Sequence, residues 1–399
     1  MRVGIDTTCW MNPRGYGRYT RNLVNALLDA PDGHVYVLFA DAQTHSSGAL
    51  DELRTRPNCE IVVGQTRQTF AASSDGQRAW GDMISMAQAV ADTPLDVFFF
   101  PSLYTYYPLL PKMPIVIGIH DVTAEDYPRL MFPERRHRWL WMLKGWLARR
   151  QANWIVTVSD HAKRGIIRRF QWSDQRLWVV GEAPDPVFQR LADREPIKPV
   201  LARYGLREGE YFVCLGGLNP HKNLSMLLDV FARVRQDFPS IQLVLVGPAE
   251  DDLFTPGVHN LRQQIQTLGL ESSVHVTGFL PDEEVVYLLN AARAFVMPSL
   301  NEGYGLGAVE AAACGTPVIA TTSSPLPELL EGGGWFIDPS NPASLDSAMR
   351  DCLSDDARCA AYGQMAFERA QRLTWANAAE QFRALLHRLD IGLQTEASN

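Results

Sequence analysis

The stretch from Pro298 to Val318, PSLNEGYGLGAVEAAACGTPV, narrows the possible folds more than any other part of the chain. The apolar run 294–297 before it reads as a buried strand of the parallel type, continuous rather than alternating. Residues 299–304 read as a loop and 305–314 as a helix. Gly315-Thr316-Pro317 closes that helix, since glycine suits the left-handed cap and proline cannot continue the hydrogen-bonded ladder. A second apolar strand, 318–320, follows at once. A strand–loop–helix–strand unit is the building block of a parallel sheet covered by helices, with right-handed crossovers.

The helix entrance carries Gly303, Gly305 and Gly307 together with Glu302 and Glu310. The first turn of a helix leaves backbone N–H groups unpaired and holds the positive end of the dipole. Glycines there let an anion approach the backbone, so the site suits a phosphate or diphosphate. Glu302 lies in the loop at the carboxyl end of a strand, where open α/β sheets bind ligands. A carboxylate beside a phosphate needs another partner, and sugar hydroxyls are good donors to it. The entrance therefore reads as a cradle for a nucleotide sugar, with amides for phosphate, Glu310 for ribose and Glu302 for the other sugar. The plain alternative is a glycine-rich helix start with solvated glutamates.

The same alternation runs through the whole second half. Strands are expected at 212–215, 242–246 and 275–276, with helices at 223–236, 258–268 and 282–291. The first of these strands runs into Gly216-Gly217-Leu218-Asn219-Pro220-His221-Lys222-Asn223, two glycines and then a cation ahead of a helix. Lys222 is a point charge suited to a phosphate oxygen. Helices are expected at 343–353, 357–371 and 374–389, with a polar tail to Asn399.

In the first half, strands are expected at 3–5, 35–40, 60–63, 97–100, 115–119, 155–159 and 177–180. Gly15-Tyr16-Gly17 opens a helix after the first strand, where doubly wound sheets meet phosphates, but the third glycine of the dinucleotide fingerprint is missing. Residues 64–80 read as a polar loop. Ile119 leads into His120-Asp121 at a strand end, and the neighbouring carboxylate is placed to orient or charge the ring. The segment 134–150 is helical in pattern, rich in Arg and Trp. Its expected packing puts Leu140, Leu143 and Leu147 on the sheet with Arg outward. A peripheral contact with an anionic membrane is the other reading of such a segment. Gly181 to Phe188 is proline-rich and reads as a linker.

At 399 residues the chain suits two domains of roughly 150–200 residues each. The expected division is 1–184, 185–373 and a C-terminal helix with a tail, 374–399, packing on either domain. Two parallel-sheet domains would face one another by their strand ends across a cleft. A formal net charge of −8 argues against general nucleic-acid binding. Six cysteines without C-x-x-C or zinc spacing read as free thiols in a reducing cytosol. The start MRVGID does not read as a signal peptide, and prolines 101, 108, 111 and 114 interrupt the apolar stretch around 95–119. No D-x-D occurs, which weighs against a metal-bridged diphosphate.

The motifs together resemble the family 4 retaining glycosyltransferases, which have two facing Rossmann-like domains, the GT-B fold. EGYGLGAVEAAACGTPVIA matches the family's Glu-x7-Glu motif, and GYGRYTRNL, HDVT, TVSDHAK, LGGLNPHKN and GFLPDEEVVYLL match in order. The resemblance implies that Glu310 holds the donor ribose and Glu302 the transferred sugar. Gly303, Tyr304, Gly305 and Leu306 would meet sugar and diphosphate through the backbone. Lys222, with Gly217 and His221 in its loop, would neutralise the leaving diphosphate. The Gly15–Gly17 loop would close over it, with Tyr16 and Asp121 toward the acceptor and His120 by the reacting side of the sugar. His221 stands where the family usually has arginine, and Gly307 where proline is common.

The implied reaction is front-face transfer of a hexose with retention, without metal or cofactor. The donor implied is GDP-mannose and the acceptor a glycan or lipid-linked saccharide, in the cytoplasm or on the inner face of the membrane. A UDP-hexose donor, a sugar-nucleotide epimerase, a phosphorylase and a non-catalytic nucleotide-binding module are the alternatives.

Overall fold

The computed structural model of the chain describes residues 1–30, 32–66, 79–110, 113–132, 134–217, 219–247 and 257–397. Most of the polar loop expected at 64–80 and the tail residue Asn399 lie outside the described residues. The chain divides into two compact units. One comprises Met1–Val122, Phe132–Glu182 and Trp375–Asn399; the other comprises Thr123–Met131 and Ala183–Thr374.

The sheet of the first unit is built from β1 (Arg2–Asp6), β2 (Val35–Ala40), β3 (Cys59–Val63), β4 (Val97–Phe100), β5 (Ile115–Gly118), β6 (Trp154–Thr157) and β7 (Leu177–Val179). Their order is β3-β2-β1-β4-β5-β6-β7, and all pairings are parallel. The VFFF of β4 and IVIG of β5 are wholly buried, as strands covered on both faces must be. One side of the sheet carries a core in which Phe39, Phe98, Phe100, Ile117 and Ile155 meet Met86 and Val90 of the Trp80–Ala91 helix. That helix was not expected from the sequence.

The sheet of the second unit is built from β8 (Tyr211–Leu215), β9 (Gln242–Val246), β10 (Val274–Gly278), β11 (Ala294–Met297), β12 (Val318–Thr321) and β13 (Gly334–Ile337). Its order, β10-β9-β8-β11-β12-β13, is again fully parallel. The order reverses between β8 and β11. Crossovers leave these two neighbours in opposite directions, which opens a crevice at their carboxyl ends.

The C-terminal helix, Trp375–Ala397, runs past its expected end at 389 and belongs to the first unit. Phe382 is fully buried with its ring 4.7 Å from Phe99, and Arg383 Nε donates to Asp32 Oδ2 at 2.8 Å. The short segment Thr123–Met131 departs from the expected division in the opposite sense, since it lies with the second unit. The Tyr127 hydroxyl donates to Leu300 O at 3.4 Å and Asn301 Nδ2 donates to Thr123 Oγ1 at 2.9 Å, tying the segment to the loop after β11.

The Arg135–Gln151 helix corrects the expected packing of two of its three leucines, while Leu147 packs partly buried against the core as expected. Leu140 and Leu143 are 64% and 53% exposed, and the fully buried positions are Gly145 and Ala148. Gly145 sits over Leu103, where a Cβ would lie 3.9 Å from its Cδ2. Small residues let the helix axis come close to the sheet, which turns the larger side chains at other angles outward.

Candidate active site

In the second unit, the reversal of strand order brings two loops together. One follows β8 and ends in the single turn Pro220–Lys222; the other follows β11 and carries Glu302. Lys222 Nζ lies 2.7 Å from Glu302 Oε1, with side chains 19% and 13% exposed. Burial pushes the Glu302 carboxyl up, but the Lys222 charge, with His221 beside it, outweighs this and holds it below the ordinary glutamate value.

Several local devices fix this pair. Asn223 adopts a left-handed conformation (φ 59°), and its side-chain amide donates to Pro298 O at 3.2 Å and Pro339 O at 2.9 Å. It thereby pins the loop after β8 to the ends of β11 and β13. The His221 carbonyl accepts from Leu300 N at 2.8 Å, and Glu302 N donates to Ser323 O at 3.0 Å. Gly216 has φ 119°, and a Cβ there would stand 3.6 Å from Lys222 Cε, so the lysine stem lies along its backbone. Gly217 follows, where a Cβ would meet the Asn219 amide at 3.0 Å.

Gly303 and Tyr304 are buried. Gly305 precedes the Leu306–Ala313 helix with φ 92°, and a Cβ on it would come within 2.8 Å of Leu326. Any other residue would be strained at this corner. Gly307 stands over Phe295, where a Cβ would lie 3.3 Å from Cζ, so the helix start packs closely on β11. Glu310 is 5% exposed in the middle of the helix.

In the first unit, His120 lies just past β5. Gly118 makes its position possible, because a Cβ there would be 2.1 Å from Pro101 O. The Pro101 carbonyl instead takes His120 Nε2 at 2.8 Å. A carbonyl only accepts, so Nε2 carries the proton and Nδ1 the lone pair of the neutral ring. Burial holds the ring below the ordinary imidazole value, against the opposing pull of the Pro101 carbonyl and Asp121. Nδ1 lies 3.6 Å from Glu182 Oε1, and the Tyr19 ring packs edge-on at 4.7 Å. Asp121 acts on the ring through its charge, as expected, and Glu182 is a second carboxylate that reaches it. No local pattern pointed to Glu182, because it is far from His120 along the chain.

The Gly15–Leu28 helix begins with the expected glycines. Gly15 is exposed with open space around it, whereas Gly17 lies under the preceding loop, where a Cβ would be 2.2 Å from Asn12 O. The Gly17 N–H already donates to Arg14 O at 3.0 Å. Tyr16 is buried; its hydroxyl accepts from Asn12 Nδ2 at 2.6 Å and its ring stacks on Tyr104 at 5.1 Å. Among the described residues no group of three His, Cys, Asp or Glu side chains is placed to hold a metal ion.

The arrangement in the second unit, a lysine and a carboxylate at a glycine-lined helix start on the switch point of a parallel sheet, suits a phosphorylated sugar. Comparison with known proteins agrees. Residues 13–186 match the model of "Glycosyltransferase Family 4" and residues 201–369 that of "Glycosyl transferases group 1". This chain belongs to glycosyltransferase family 4.

It is 30% identical over 236 residues to the O-antigen chain mannosyltransferase B of Escherichia coli, covering 58% of this chain and 59% of that protein. It is 25% identical to the serotype-specific mannosyltransferase WbdA of Escherichia coli, over 57% of this chain and 28% of that one. The matched region thus spans under two thirds of either relative.

Among solved structures, a sucrose-phosphate synthase from Thermosynechococcus elongatus superposes with a TM-score of 0.75 at 18% identity, over 98% of this chain and 100% of that one. HepE of Anabaena, solved with UDP and glucose, gives 0.73 at 20% identity, over 97% and 100%. These likenesses establish the GT-B fold.

Proposed function

We propose that this chain is a retaining glycosyltransferase that moves a hexose from a nucleoside diphosphate to a hydroxyl of a glycan or lipid-linked saccharide. GDP-mannose is the proposed donor, and surface polysaccharide synthesis on the cytoplasmic side the setting. The reading rests chiefly on the Lys222–Glu302 pair at the start of the Leu306–Ala313 helix. Mannosyltransferase relatives favour mannose among hexoses.

In this reading Lys222 turns to the diphosphate and Glu302 to the sugar hydroxyls, so each exchanges its present partner for one on the donor. The backbone of Gly303–Leu306 meets the phosphates, and Glu310 holds the ribose. The bond between the anomeric carbon and the diphosphate oxygen breaks while the acceptor oxygen bonds to the same face of that carbon. The acceptor proton passes to the leaving diphosphate, so no metal is needed. Lys222 stabilises the charge growing on the leaving oxygens. His120, through its unprotonated Nδ1, accepts a hydroxyl of the sugar. A peripheral membrane contact through the 134–150 segment would bring the enzyme to a lipid-linked acceptor.

The test measures thermal stabilisation by GDP and by UDP, followed by transfer from the matching sugar nucleotide to saccharide acceptors. Acceptor-dependent transfer that Lys222→Ala removes is the expected result. Stabilisation by UDP alone would replace the donor. Release of free sugar nucleotide isomer without acceptor would make the protein an epimerase, and binding without turnover a non-catalytic module.

A further inference from the structure

The Pro342–Ser354 and Asp356–Ala370 helices meet at a corner, Asp355, and bring two cysteines together across it. Cys352 Sγ and Cys359 Sγ lie 3.6 Å apart at the edge of the second unit's core. Cys352 is fully buried and Cys359 is 7% exposed. The plain account is a pair of small hydrophobic side chains. Their surroundings argue for more. Arg293 Nε donates to Cys352 O at 2.8 Å, and Nη1 of the same guanidinium meets Asp356 Oδ1 at 2.7 Å. A cation is thus held between the two helix ends. Cys359 Sγ donates to Arg293 O at 3.4 Å, and it stands near the amino end of its helix, where the dipole favours negative charge.

The thiols of the chain are not alike. A hydrogen bond from the Cys352 thiol, helped by the Arg293 charge, holds Cys359 below the ordinary thiol value against the opposing effect of burial. The same bond and burial put Cys352 well above it. Burial pushes Cys59 up to about 11 and Cys214 up to about 12, and raises Cys314 as well. The thiolate is the form that attacks an oxidant, so Cys359 is the site where one would react. Its partner is within reach. A disulfide needs its sulfurs at about 2.05 Å, so the gap of 3.6 Å must close by about 1.5 Å. Each sulfur swings on its own Cβ, and side-chain rotation covers that distance.

We propose that Cys359 and Cys352 form a hydroperoxide-sensitive dithiol, oxidised reversibly to a disulfide that staples the Pro342–Ser354 helix to the Asp356–Ala370 helix. The Cys359 thiolate attacks one oxygen of hydrogen peroxide, so that an S–O bond forms and the O–O bond breaks. The leaving hydroxide takes up the proton that the thiol gave and departs as water, leaving a sulfenic acid. The Cys352 sulfur then attacks the Cys359 sulfur; the S–S bond forms, the S–O bond breaks, and the hydroxyl leaves with the Cys352 proton as a second water. In sum, two thiols and one hydrogen peroxide give one disulfide and two waters. Arg293 directly precedes β11, so the corner lies at the amino end of the strand whose carboxyl end leads to Glu302. The inference uses none of the donor-site assignments and stands or falls apart from them.

The test treats the reduced, folded full chain with hydrogen peroxide, removes the excess with catalase, blocks the remaining thiols with iodoacetamide in denaturant and maps tryptic peptides. Trypsin cuts after Arg350, Arg358 and Arg369, so the two cysteines fall in separate peptides, 351–358 and 359–369. The expected product is a linked pair of these peptides that dithiothreitol separates. Cys59 serves as the internal standard. With Cys59 held near 11 and Cys359 below the ordinary thiol value, Cys359 carries on the order of a hundredfold more thiolate at neutral pH. The weaker nucleophilicity of the more acidic thiol lowers its expected advantage in rate to about tenfold. Cys352→Ser should leave Cys359 as a sulfenic acid that dimedone traps. Cys359→Ser should leave Cys352 unoxidised at the same peroxide dose. Circular dichroism shows whether each variant is folded, and the wild-type map decides alone if one is not. The proposal is overturned if both cysteines are still alkylated at a dose that oxidises Cys59, if Cys352 links to another cysteine, or if Cys359 passes to sulfinic acid without a link.

Discussion

Glu302→Gln separates the electrostatic role of this residue from its shape. The carboxylate stands 2.7 Å from Lys222 Nζ, both side chains being mostly buried. An effective dielectric near 20 makes the gross attraction about 6 kcal/mol at that distance. Desolvation of the two groups cancels most of it, and glutamine still offers Lys222 an acceptor oxygen. The part that bears on ligand binding is the competition for the lysine: an incoming diphosphate must displace one anion and lie close to it. Removing that anion should favour phosphate by about 1–3 kcal/mol, so the affinity for a nucleoside diphosphate without sugar rises roughly 5- to 150-fold. The intact donor gains less, because its sugar hydroxyls lose a charged acceptor. Transfer should fall by roughly a hundredfold where that contact strengthens in the transition state. Calorimetric titration with GDP and UDP, alongside transfer rates, reads both effects. Lys222→Met should weaken diphosphate binding, moving the other way. Unchanged or weaker diphosphate affinity in Glu302→Gln would refute the idea that the two side chains neutralise each other in the unliganded protein.

Asn223→Gly keeps the left-handed backbone but removes the donors to Pro298 O and Pro339 O. A loss of about 2 kcal/mol in denaturant unfolding is expected at about 1 kcal/mol per bond, and Asn223→Ala should cost more because alanine adds backbone strain. Phe382→Ala should cost about 3–5 kcal/mol, read as a lowered melting temperature, since the ring is fully buried against Phe99. His120 is held below its ordinary value by burial. The stability from keeping it neutral is complete above the unfolded value of roughly 6.5 and is lost as pH falls through the folded value. His120→Gln should therefore flatten the fall in melting temperature on acidification, and an acid limb identical to wild type would contradict that burial.

Much of the fold was legible because parallel strands buried on both faces are written as continuous apolar runs. Val97–Phe100 and Ile115–Gly118 are plain in the sequence for that reason. Elements with a mixed pattern escaped it. The Trp80–Ala91 helix leaves Trp80 and Ile84 exposed, and the Ile197–Tyr204 helix starts beside prolines. Gly334–Ile337 is a strand hidden behind three glycines. The Arg135–Gln151 helix shows a different failure. Periodicity located it and put Leu147 against the core, but Leu140 and Leu143 turn outward, because the buried positions are the small Gly145 and Ala148.

The site was legible in its residue types and obscure in its pairings, and the sheet order explains both. The glycines and glutamates at 302–310 are local, so spacing alone located the helix start. The partnership of Lys222 with Glu302 depends on β8 lying beside β11, a fact of topology that no short window contains. The same holds for His120: Asp121, its neighbour in sequence, acts on the ring as expected, while the fold adds Glu182 from far along the chain. In both places a carboxylate brought by topology sits against a nitrogen group, but the consequences differ. Glu302 faces a lysine and stays ionised, so it can both restrain that lysine and accept hydroxyls. Glu182 faces the lone pair of a neutral ring, which holds no proton to share. The unprotonated Nδ1 is thus the position that a further proton would take, and Glu182 beside it would favour the resulting positive charge. Glu182→Gln should accordingly lower the pH at which His120 titrates, followed by the imidazole proton resonances, and an unchanged titration would show that the carboxylate lies too far away to act.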